Sequence, residues 1–230
     1  MGQCSTFYTD VAGSGARRNN VRLATETLNG VCVMPGEVFS YNATIGKRTE
    51  EKGYREAPVY ANGLSATEPG GGVCQVSSTL FNAVLLADLN IVSRSPHSRP
   101  ASYVPVGLDA TVSWPEPDFK FQNDTPYPVY IVSKYENEKC YMSIYGQQLP
   151  DGIYVTMEAV TTEVLKSDKP VYIYTKDLPK GQQHTIAKAR EGYLAEAYKV
   201  YHYADGTEMD RMLYIRSEYP AVGPTIRVGS

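Results

Sequence analysis

The stretch Gly70–Ala87 reads GGGVCQVSSTLFNAVLLA and decides where one helix of this chain begins. Three glycines run directly into Cys74, and an apolar pattern with helical spacing follows. Apolar residues at i, i+4, i+7, i+8 and i+11 predict a helix over about 74–89 with one buried side. These residues are Val76, Leu80, Ala83, Val84 and Ala87. The most flexible backbone of the chain therefore lies at the mouth of a helix that starts with a cysteine.

A cysteine in this position is typical of an activated nucleophile. The thiolate is the attacking species, and the helix N-terminus favours a negative charge because its N–H groups are unpaired. The glycines Gly70, Gly71 and Gly72 allow positive φ and a close approach of substrate backbone. Their N–H groups, together with that of Cys74, form a candidate oxyanion site. A buried cysteine after an ordinary glycine turn fits the same residues without any catalytic role.

Two serines follow the cysteine on its own side of the helix. Ser77 and Ser78 are three and four residues after Cys74, so they are neighbours of its side chain on the helix surface. We expect their hydroxyls to hydrogen-bond the sulfur or a substrate.

A candidate base lies downstream in SRSPHSRPASYVPVG, where His97 is flanked by two prolines that predict a rigid loop. The other two histidines of the chain lie beyond residue 150, so His97 is the candidate of the first part. A Cys–His pair needs a third group that orients the imidazole. Asp109, in GLDATV, is the first choice, and Glu56 and Asp118 are weaker ones.

Composition narrows the function classes. The chain has 230 residues, a formal net charge of −3 and a pI near 5.7, so nucleic acid is not an expected partner. No apolar run approaches the roughly 20 residues that a membrane span needs. The four cysteines form no CxxC pair, which argues against a structural zinc site; a Cys4–Cys32 disulfide is one alternative. The start, MGQCSTFYTD, is typical of an initiator Met on an excised fragment, so we expect a preceding segment in the full-length protein.

The remaining pattern predicts an α+β protein. Its N-terminal domain, 1–150, has two main helices packed on a largely antiparallel sheet, and a small elongated all-β module, 151–230, follows a break at LPDG. The first helix is predicted over 16–30. Strands are predicted over short apolar or alternating runs. These runs are 3–9, 91–94, 109–113, 118–122, 127–135 and 138–146.

Three stretches in order resemble the VanW family: FSYNATIGKRTEEKGYREAPVYANG, GGGVCQVSSTLFNAVLLADLNIV and HSRPASYVPVGLDATV. The resemblance covers roughly 4–146. The segment 153–230, which ends in PAVGPTIRVGS, is similar to a G-five domain, a small β module of surface proteins. Its five glycines would be Gly181, Gly192, Gly206, Gly223 and Gly229.

The VanW resemblance implies a peptidoglycan L,D-transpeptidase that links third-position stem residues through a cysteine thioester. In this resemblance Cys74 would be the nucleophile and His97 the base, while Asp109 remains the first candidate from the residues for the group that orients the imidazole. The candidate oxyanion and substrate-binding residues are Gly71, Gly72, Gln75, Ser77, Ser78, Arg99 and Tyr103. The chemistry needs no metal and no organic cofactor. The implied partners are stem peptides and glycan strands, outside a Gram-positive cell, with a membrane anchor in the missing N-terminal part and the G-five module contacting the wall.

Two alternatives stay open at this point. One is a thiol hydrolase of the cell wall, an L,D-carboxypeptidase or endopeptidase, in which water replaces the acceptor amine. The other is a non-catalytic wall-binding module linked to glycopeptide resistance, in which Cys74 is a structural thiol and His97 anchors a loop.

Overall fold

A computed structural model describes residues 2–61 and 64–230 of the chain. Within this part, the helices are α1 Gly15–Leu28, α2 Tyr41–Ile45 and α3 Val73–Leu86, with short 3-10 turns at Glu50–Lys52 and Pro150–Gly152. The strands of the first part are β1 Gly2–Asp10, β2 Val31–Val33, β3 Val38–Ser40, β4 Glu56–Ala61, β5 Leu64–Pro69, β6 Asn90–Ser93, β7 Lys120–Gln122, β8 Val129–Glu136 and β9 Lys139–Gly146. Those of the second part are β10 Tyr154–Leu165, β11 Val171–Thr175, β12 Gln183–Ala187, β13 Gly192–His202, β14 Glu208–Tyr219 and β15 Thr225–Gly229.

The strands form small, mostly antiparallel sheets. The first part has a four-stranded sheet of order β1-β9-β8-β2, a three-stranded sheet of order β3-β7-β6, and the hairpin β4-β5. The second part has the sheets β10-β13-β14 and β11-β15-β12, in which β11 and β15 run parallel. Helices α1 and α3 pack on the four-stranded sheet. The predicted α+β class with a β-rich C-terminal part is therefore confirmed. Asn62 and Gly63, the last residues of the first VanW-like stretch, lie outside the described residues.

Helix α3 is the central element of the core. Every residue from Gln75 to Leu85 is buried, including the polar ones. The prediction of one buried side was therefore too narrow, because α3 contacts β1 and β9, the helix α1, and β10 of the second part. Ala87, expected on the buried stripe, is the half-buried C-cap residue.

The glycine run is shaped by contacts inside the protein. Gly70 and Gly72 have φ of +91° and +107°, the positive values that their sequence predicts glycine to allow. A Cβ at Gly71 would lie 2.5 Å from the carbonyl oxygen of Ala57, and one at Gly72 would lie 2.9 Å from Cγ of Arg17. The glycines therefore let β4 and α1 approach the start of α3, and this close approach needs no substrate.

Residues 109–113 form no strand, which corrects one prediction. They run as an extended segment against α3, where Ser77 donates to the carbonyl of Ala110 (2.6 Å) and Ser78 accepts from its N–H (2.9 Å). Both serine side chains are fully buried. Two side chains of the helix thus replace the backbone ladder that a strand would need.

All four cysteines are free thiols. Cys4 lies near Gln147, whose carbonyl accepts from its sulfur at 3.3 Å, and Cys32 is exposed on β2. The alternative of a Cys4–Cys32 disulfide is therefore not the arrangement found. Cys140 is buried beside Thr25 of α1. Among the described residues, no helix is both long and apolar enough to cross a membrane.

The two parts of the chain contact each other through buried polar groups. Lys199 of β13 forms an ion pair with Asp88, just after α3, at 2.7 Å, and Tyr201 donates to the same carboxylate at 2.7 Å. The side chain of Lys199 is only 4% exposed. The boundary between 1–150 and 151–230 as separate domains stays a prediction.

We predict that Gly71→Ala destabilises the protein, because the new Cβ meets rigid backbone of Ala57 and not a flexible side chain. Overpacking of this kind costs about 1–3 kcal/mol in the free energy of unfolding. Thermal unfolding measures the effect. The matched control is Gly15→Ala, where the added Cβ has nothing within 4 Å and the Tm should not fall. Equal Tm values for both variants would contradict the close packing at the helix mouth.

Candidate functional site

The structure brings Cys74, His97 and Asp109 into one row, with the imidazole between the thiol and the carboxylate. Cys74 is the second residue of α3, and the His97 imidazole lies close enough to its sulfur to lower the pKa of the thiol. Nδ1 of His97 faces Oδ2 of Asp109 in a short contact, which leaves Nε2 for the sulfur. The three side chains come from the helix mouth, the proline-flanked loop and the extended segment beside α3.

Asp109 is held by donors on both carboxylate oxygens. Oδ2 accepts from the His97 ring and from the His97 backbone N–H (2.8 Å). Oδ1 accepts from Nη2 of Arg94 (3.0 Å) and from the hydroxyl of Tyr219. Burial by itself would raise the pKa of this carboxyl, whose side chain is 1% exposed, but the hydrogen bonds and the positive charges of His97 and Arg94 lower it to about 2. Asp109 is therefore ionised across the physiological range.

The same row shifts the pKa values of Cys74 and His97, the two groups that would exchange a proton. Burial opposes the charged form of Cys74, but the hydrogen bond and charge of His97, with contacts to Val112 and Thr111, lower the pKa of the thiol to about 7. Burial also opposes the imidazolium, yet Asp109 and Cys74 raise the pKa of His97 to about 9. Between these values the pair is a thiolate and an imidazolium, which is the state of a nucleophile with its acid in place.

The weaker candidates for the orienting group lie elsewhere. Asp118 accepts from Ser40 (2.6 Å) and from the N–H of Asn42 (2.8 Å), so it holds the start of α2. Glu56 is exposed on β4. Asp109 alone of the three predicted carboxylates contacts His97.

A cleft of about 1270 Å³ opens over the sulfur. Its lining includes Cys74 and His97, and the predicted residues Gly72, Arg99 and Tyr103 line it as well. Burial raises the pKa of the Tyr103 hydroxyl. A cleft of this volume has room for an extended peptide and is larger than most small-molecule pockets.

Gln75 and the two serines are occupied by contacts within the protein. Gln75 is 1% exposed, and its amide donates to the hydroxyl of Thr9 (2.8 Å) and to the carbonyl of Asp10 (2.9 Å). Ser77 and Ser78 donate to the backbone carbonyls of Cys74 and Ala110. These side chains hold the site together. The hydroxyls of Ser77 and Ser78 contact backbone and not the sulfur, while Gln75 also lines the cleft.

Arg17 is a site residue that sequence reasoning missed. Its Nη2 donates to Oε1 of Gln75 at 2.7 Å, and its Nη1 donates to the carbonyl of Ala12 at 2.9 Å. Arg17 lines the cleft, and its charge interacts with Cys74. The only signal in the sequence was a basic residue in the first turn of a predicted helix, which is usually a solvated side chain.

Two N–H groups at the helix mouth remain available. Those of Gly70, Gly71, Val73 and Gln75 donate to backbone carbonyls. Within the described ranges 2–61 and 64–230, the N–H groups of Gly72 and Cys74 have no hydrogen-bond acceptor. They are therefore the donors of the glycine run that can meet an oxyanion.

A thiol, an imidazole and an ionised carboxylate aligned beside a cleft define a thiol–imidazole site on an α+β scaffold. The family model described as "VanW like protein" matches residues 16–145, more than half of the chain and all three of these side chains. The chain belongs to the VanW-like family.

Two relatives show where related chains occur. The "Uncharacterized protein YoaR" of Bacillus subtilis (strain 168) is 42% identical over 149 residues, which are 65% of this chain and 48% of that protein. The "Vancomycin B-type resistance protein VanW" of Enterococcus faecalis (strain ATCC 700802 / V583) is 32% identical over 162 residues, 68% of this chain and 58% of that protein. The chain thus spans about half the length of these relatives.

Two solved structures are similar to a third of the chain. "IgA1 Protease G5 domain structure" is 14% identical with a TM-score of 0.23, and covers 34% of this chain and 89% of its own. "Crystal structure of HP0197-G5" is 19% identical with a TM-score of 0.20, and covers 34% of this chain and 97% of its own. Such TM-scores do not decide a fold, so the G-five assignment of 153–230 stays a prediction.

We predict that Cys74 is alkylated with a pH midpoint near 7, as its lowered pKa implies. In His97→Ala the thiolate loses its hydrogen bond and the imidazolium charge, so the midpoint should rise to about 8.5 or above. Iodoacetamide labelling with peptide mapping measures each thiol separately. Cys140 is the internal control, since burial raises its pKa to about 11. An unchanged Cys74 midpoint in His97→Ala would show that the imidazole does not activate the thiol.

Proposed function

We propose that this protein is a peptidoglycan L,D-transpeptidase that works through a thioester on Cys74. The observation that supports the proposal most is the row Cys74–His97–Asp109 at the mouth of a buried helix, open to a large cleft. Membership of a family that includes a vancomycin resistance protein agrees with chemistry on wall stem peptides. The substrate lies outside the cell membrane, so the proposal includes an extracellular location in the wall of a Gram-positive bacterium.

In the first half-reaction the thiolate of Cys74 attacks the carbonyl carbon between the L-centre of the third stem residue and the terminal D-Ala. The N–H groups of Gly72 and Cys74 receive the oxyanion. The C–N bond then breaks, and the His97 imidazolium gives its proton to the departing amine of D-Ala. The products are free D-Ala, a thioester on Cys74 and a neutral imidazole.

In the second half-reaction the side-chain amine of another stem attacks the thioester. His97 takes a proton from this amine, the C–S bond breaks, and Cys74 leaves as a thiolate. The new amide joins two third-position residues, and the thiolate–imidazolium pair is restored. Asp109 stays ionised throughout and stabilises the imidazolium in the intervals when it exists.

Arg17 is the group that we propose to bind the terminal carboxylate of the donor. In the donor, this carboxylate belongs to the residue that leaves, so it lies next to the carbonyl that Cys74 attacks. Arg17 lines the cleft, interacts electrostatically with Cys74 and is anchored by buried Gln75. A guanidinium held in this way is suited to a planar carboxylate.

Hydrolysis by the same site is a second candidate, because water can replace the amine once the thioester has formed. The observation in its favour is the wide cleft, which leaves the sulfur accessible from solvent when no acceptor is bound. Both candidates need the same nucleophile and differ in their products.

We predict that purified protein converts disaccharide-tetrapeptide of a diaminopimelate-type wall into dimers linked between third-position residues. Product formation should increase with pH through about 7, as the thiol of Cys74 ionises, and decrease above about 9, as His97 loses its proton. Mass spectrometry identifies the products. Cys74→Ala should form none, whereas Cys32→Ala, which removes an exposed thiol outside the cleft, should be fully active.

Shortened monomers without dimers would favour the hydrolase. If neither product forms with folded, reduced protein that still binds wall material, the transpeptidase proposal is overturned and a binding module is favoured.

We predict that Arg17→Gln reduces kcat/KM for the tetrapeptide donor about 10- to 100-fold, the size of a lost hydrogen-bonded contact to a charged group. A donor that ends in a carboxamide should react slowly with wild type and lose little more in the variant. The matched control is Arg22→Gln, also on α1, where the exposed side chain pairs with Glu26. Equal losses for both donors would show that Arg17 does not recognise the carboxylate.

A further inference from the structure

The polar contacts around Asp109 extend into the second part of the chain. Tyr219 is the last residue of β14 and is fully buried, and its hydroxyl contacts Oδ1 of Asp109. Ser217, two residues earlier and so on the same face of the strand, accepts from Nη1 of Arg94 at 2.7 Å. The C-terminal end of β14 thus lies directly behind the candidate catalytic carboxylate.

We propose that Tyr219 is a positioning residue of the thiol–imidazole site, so that the C-terminal β-rich part completes the site that the VanW-like part begins. The proposal rests on the nucleophile and base assigned above, and it does not depend on the identity of the substrate.

The direction of the hydrogen bonds gives Tyr219 a defined role. The backbone N–H of Gly107 donates to the Tyr219 oxygen at 2.8 Å, so the hydroxyl proton is directed to Asp109. Arg94 occupies the same carboxylate oxygen, while His97 occupies the other. With two donors fixed behind it, the carboxylate cannot rotate away from the imidazole without breaking buried hydrogen bonds.

The position of Tyr219 is itself fixed by close packing. A Cβ at Gly192, at the start of β13, would lie 2.3 Å from the carbonyl oxygen of Tyr219 and 2.3 Å from the nitrogen of Ala221. The β13 and β14 chains therefore approach as closely as only glycine allows.

Three further side-chain contacts join this part to the first, two at the far end of α3 and one beside the candidate base. Lys199 and Tyr201 of β13 hold Asp88 at the end of α3, and Arg190 donates to the carbonyl of Ser98 at 3.2 Å, next to the candidate base. These contacts hold the second part against the first, and the close packing at Gly192 and the Gly107 hydrogen bond place the Tyr219 hydroxyl at Asp109.

Removing the hydroxyl tests this role, because Tyr219→Phe keeps the ring and its packing. Without this donor, Oδ1 of Asp109 is less fixed, and the carboxylate can turn away from the His97 ring. The raised pKa of His97 should then fall and the lowered pKa of Cys74 should rise, so that the pH window of the thiolate–imidazolium pair narrows from both sides. The charged and titratable groups around the row, namely Arg94, Arg17 and Tyr103, are unchanged by this substitution.

The first measurement is the pH dependence of Cys74 alkylation, which needs no peptidoglycan. We expect Tyr219→Phe to move the midpoint up towards the ordinary cysteine value. Turnover, if present, should show about a tenfold loss in kcat with KM unchanged, the size expected for one hydrogen bond to a charged group. In an Asp109→Asn background the same substitution should have little additional effect, since Tyr219 acts through Asp109.

The matched control is Tyr201→Phe, which removes a hydroxyl that also joins the second part to the first, at Asp88, without touching the row. Its alkylation midpoint should equal that of wild type. A shift of the same size in both variants, or no shift in Tyr219→Phe, overturns the proposal. A shift confined to Tyr219→Phe in a protein that yields no crosslinked product supports the positioning role and overturns only the transpeptidase.

Discussion

A carboxylate can keep its charge inside a protein only if donors replace the water that it loses, and the candidate site depends on how Asp109 meets this condition. Four donors surround it, from the side chain and backbone of His97, from Arg94 and from Tyr219. Because the carboxylate stays ionised, the imidazole beside it favours its protonated form. Because the imidazole is protonated, the thiol of Cys74 ionises at a lower pH. The lowered pKa of the Cys74 thiol thus depends on the donors that hold Oδ1 of Asp109, on the side of the carboxylate away from the imidazole.

Helix α3 carries Cys74 and contacts the segment that carries Asp109. A helix buried on all sides cannot shift without disturbing several packed elements, so its first turn is a rigid place for a nucleophile. The same helix binds the extended segment of Asp109 through Ser77 and Ser78, and it contacts the second part through Asp88 at its other end. The polar residues of α3 therefore fix the position of the segment around Asp109 relative to Cys74.

Sequence reasoning reached the residues that carry a local signal. Cys74 stood out because glycines precede it and an apolar helix follows, and His97 because prolines flank it. The structure places His97 between Cys74 and Asp109, the first of three carboxylates considered. Glycine geometry was also predictable at Gly70 and Gly72, since a positive φ is a local property.

The remaining features of the site depend on contacts between distant segments, which no local pattern encodes. Arg17 resembles any basic residue of a helix start until Gln75 of α3 binds it. Gln75 and the two serines have the residue types of a substrate site, yet burial turns them into internal links. Strand prediction failed at 109–113 because side chains of α3 satisfy the backbone there.

Tyr219 presents the sharpest case of a long-range constraint, because 110 positions separate it from the carboxylate that it contacts. The family match ends at residue 145, so similarity alone would divide the molecule before this tyrosine. Buried hydrogen bonds instead join residues on both sides of that boundary. Arg94, Asp109 and Gly107 of the first part would lose partners if β14 were removed, and an unpaired buried charge is more costly than a lost apolar contact. The physical unit of the site therefore includes both parts of the chain, even though Cys74, His97 and Asp109 all belong to the first.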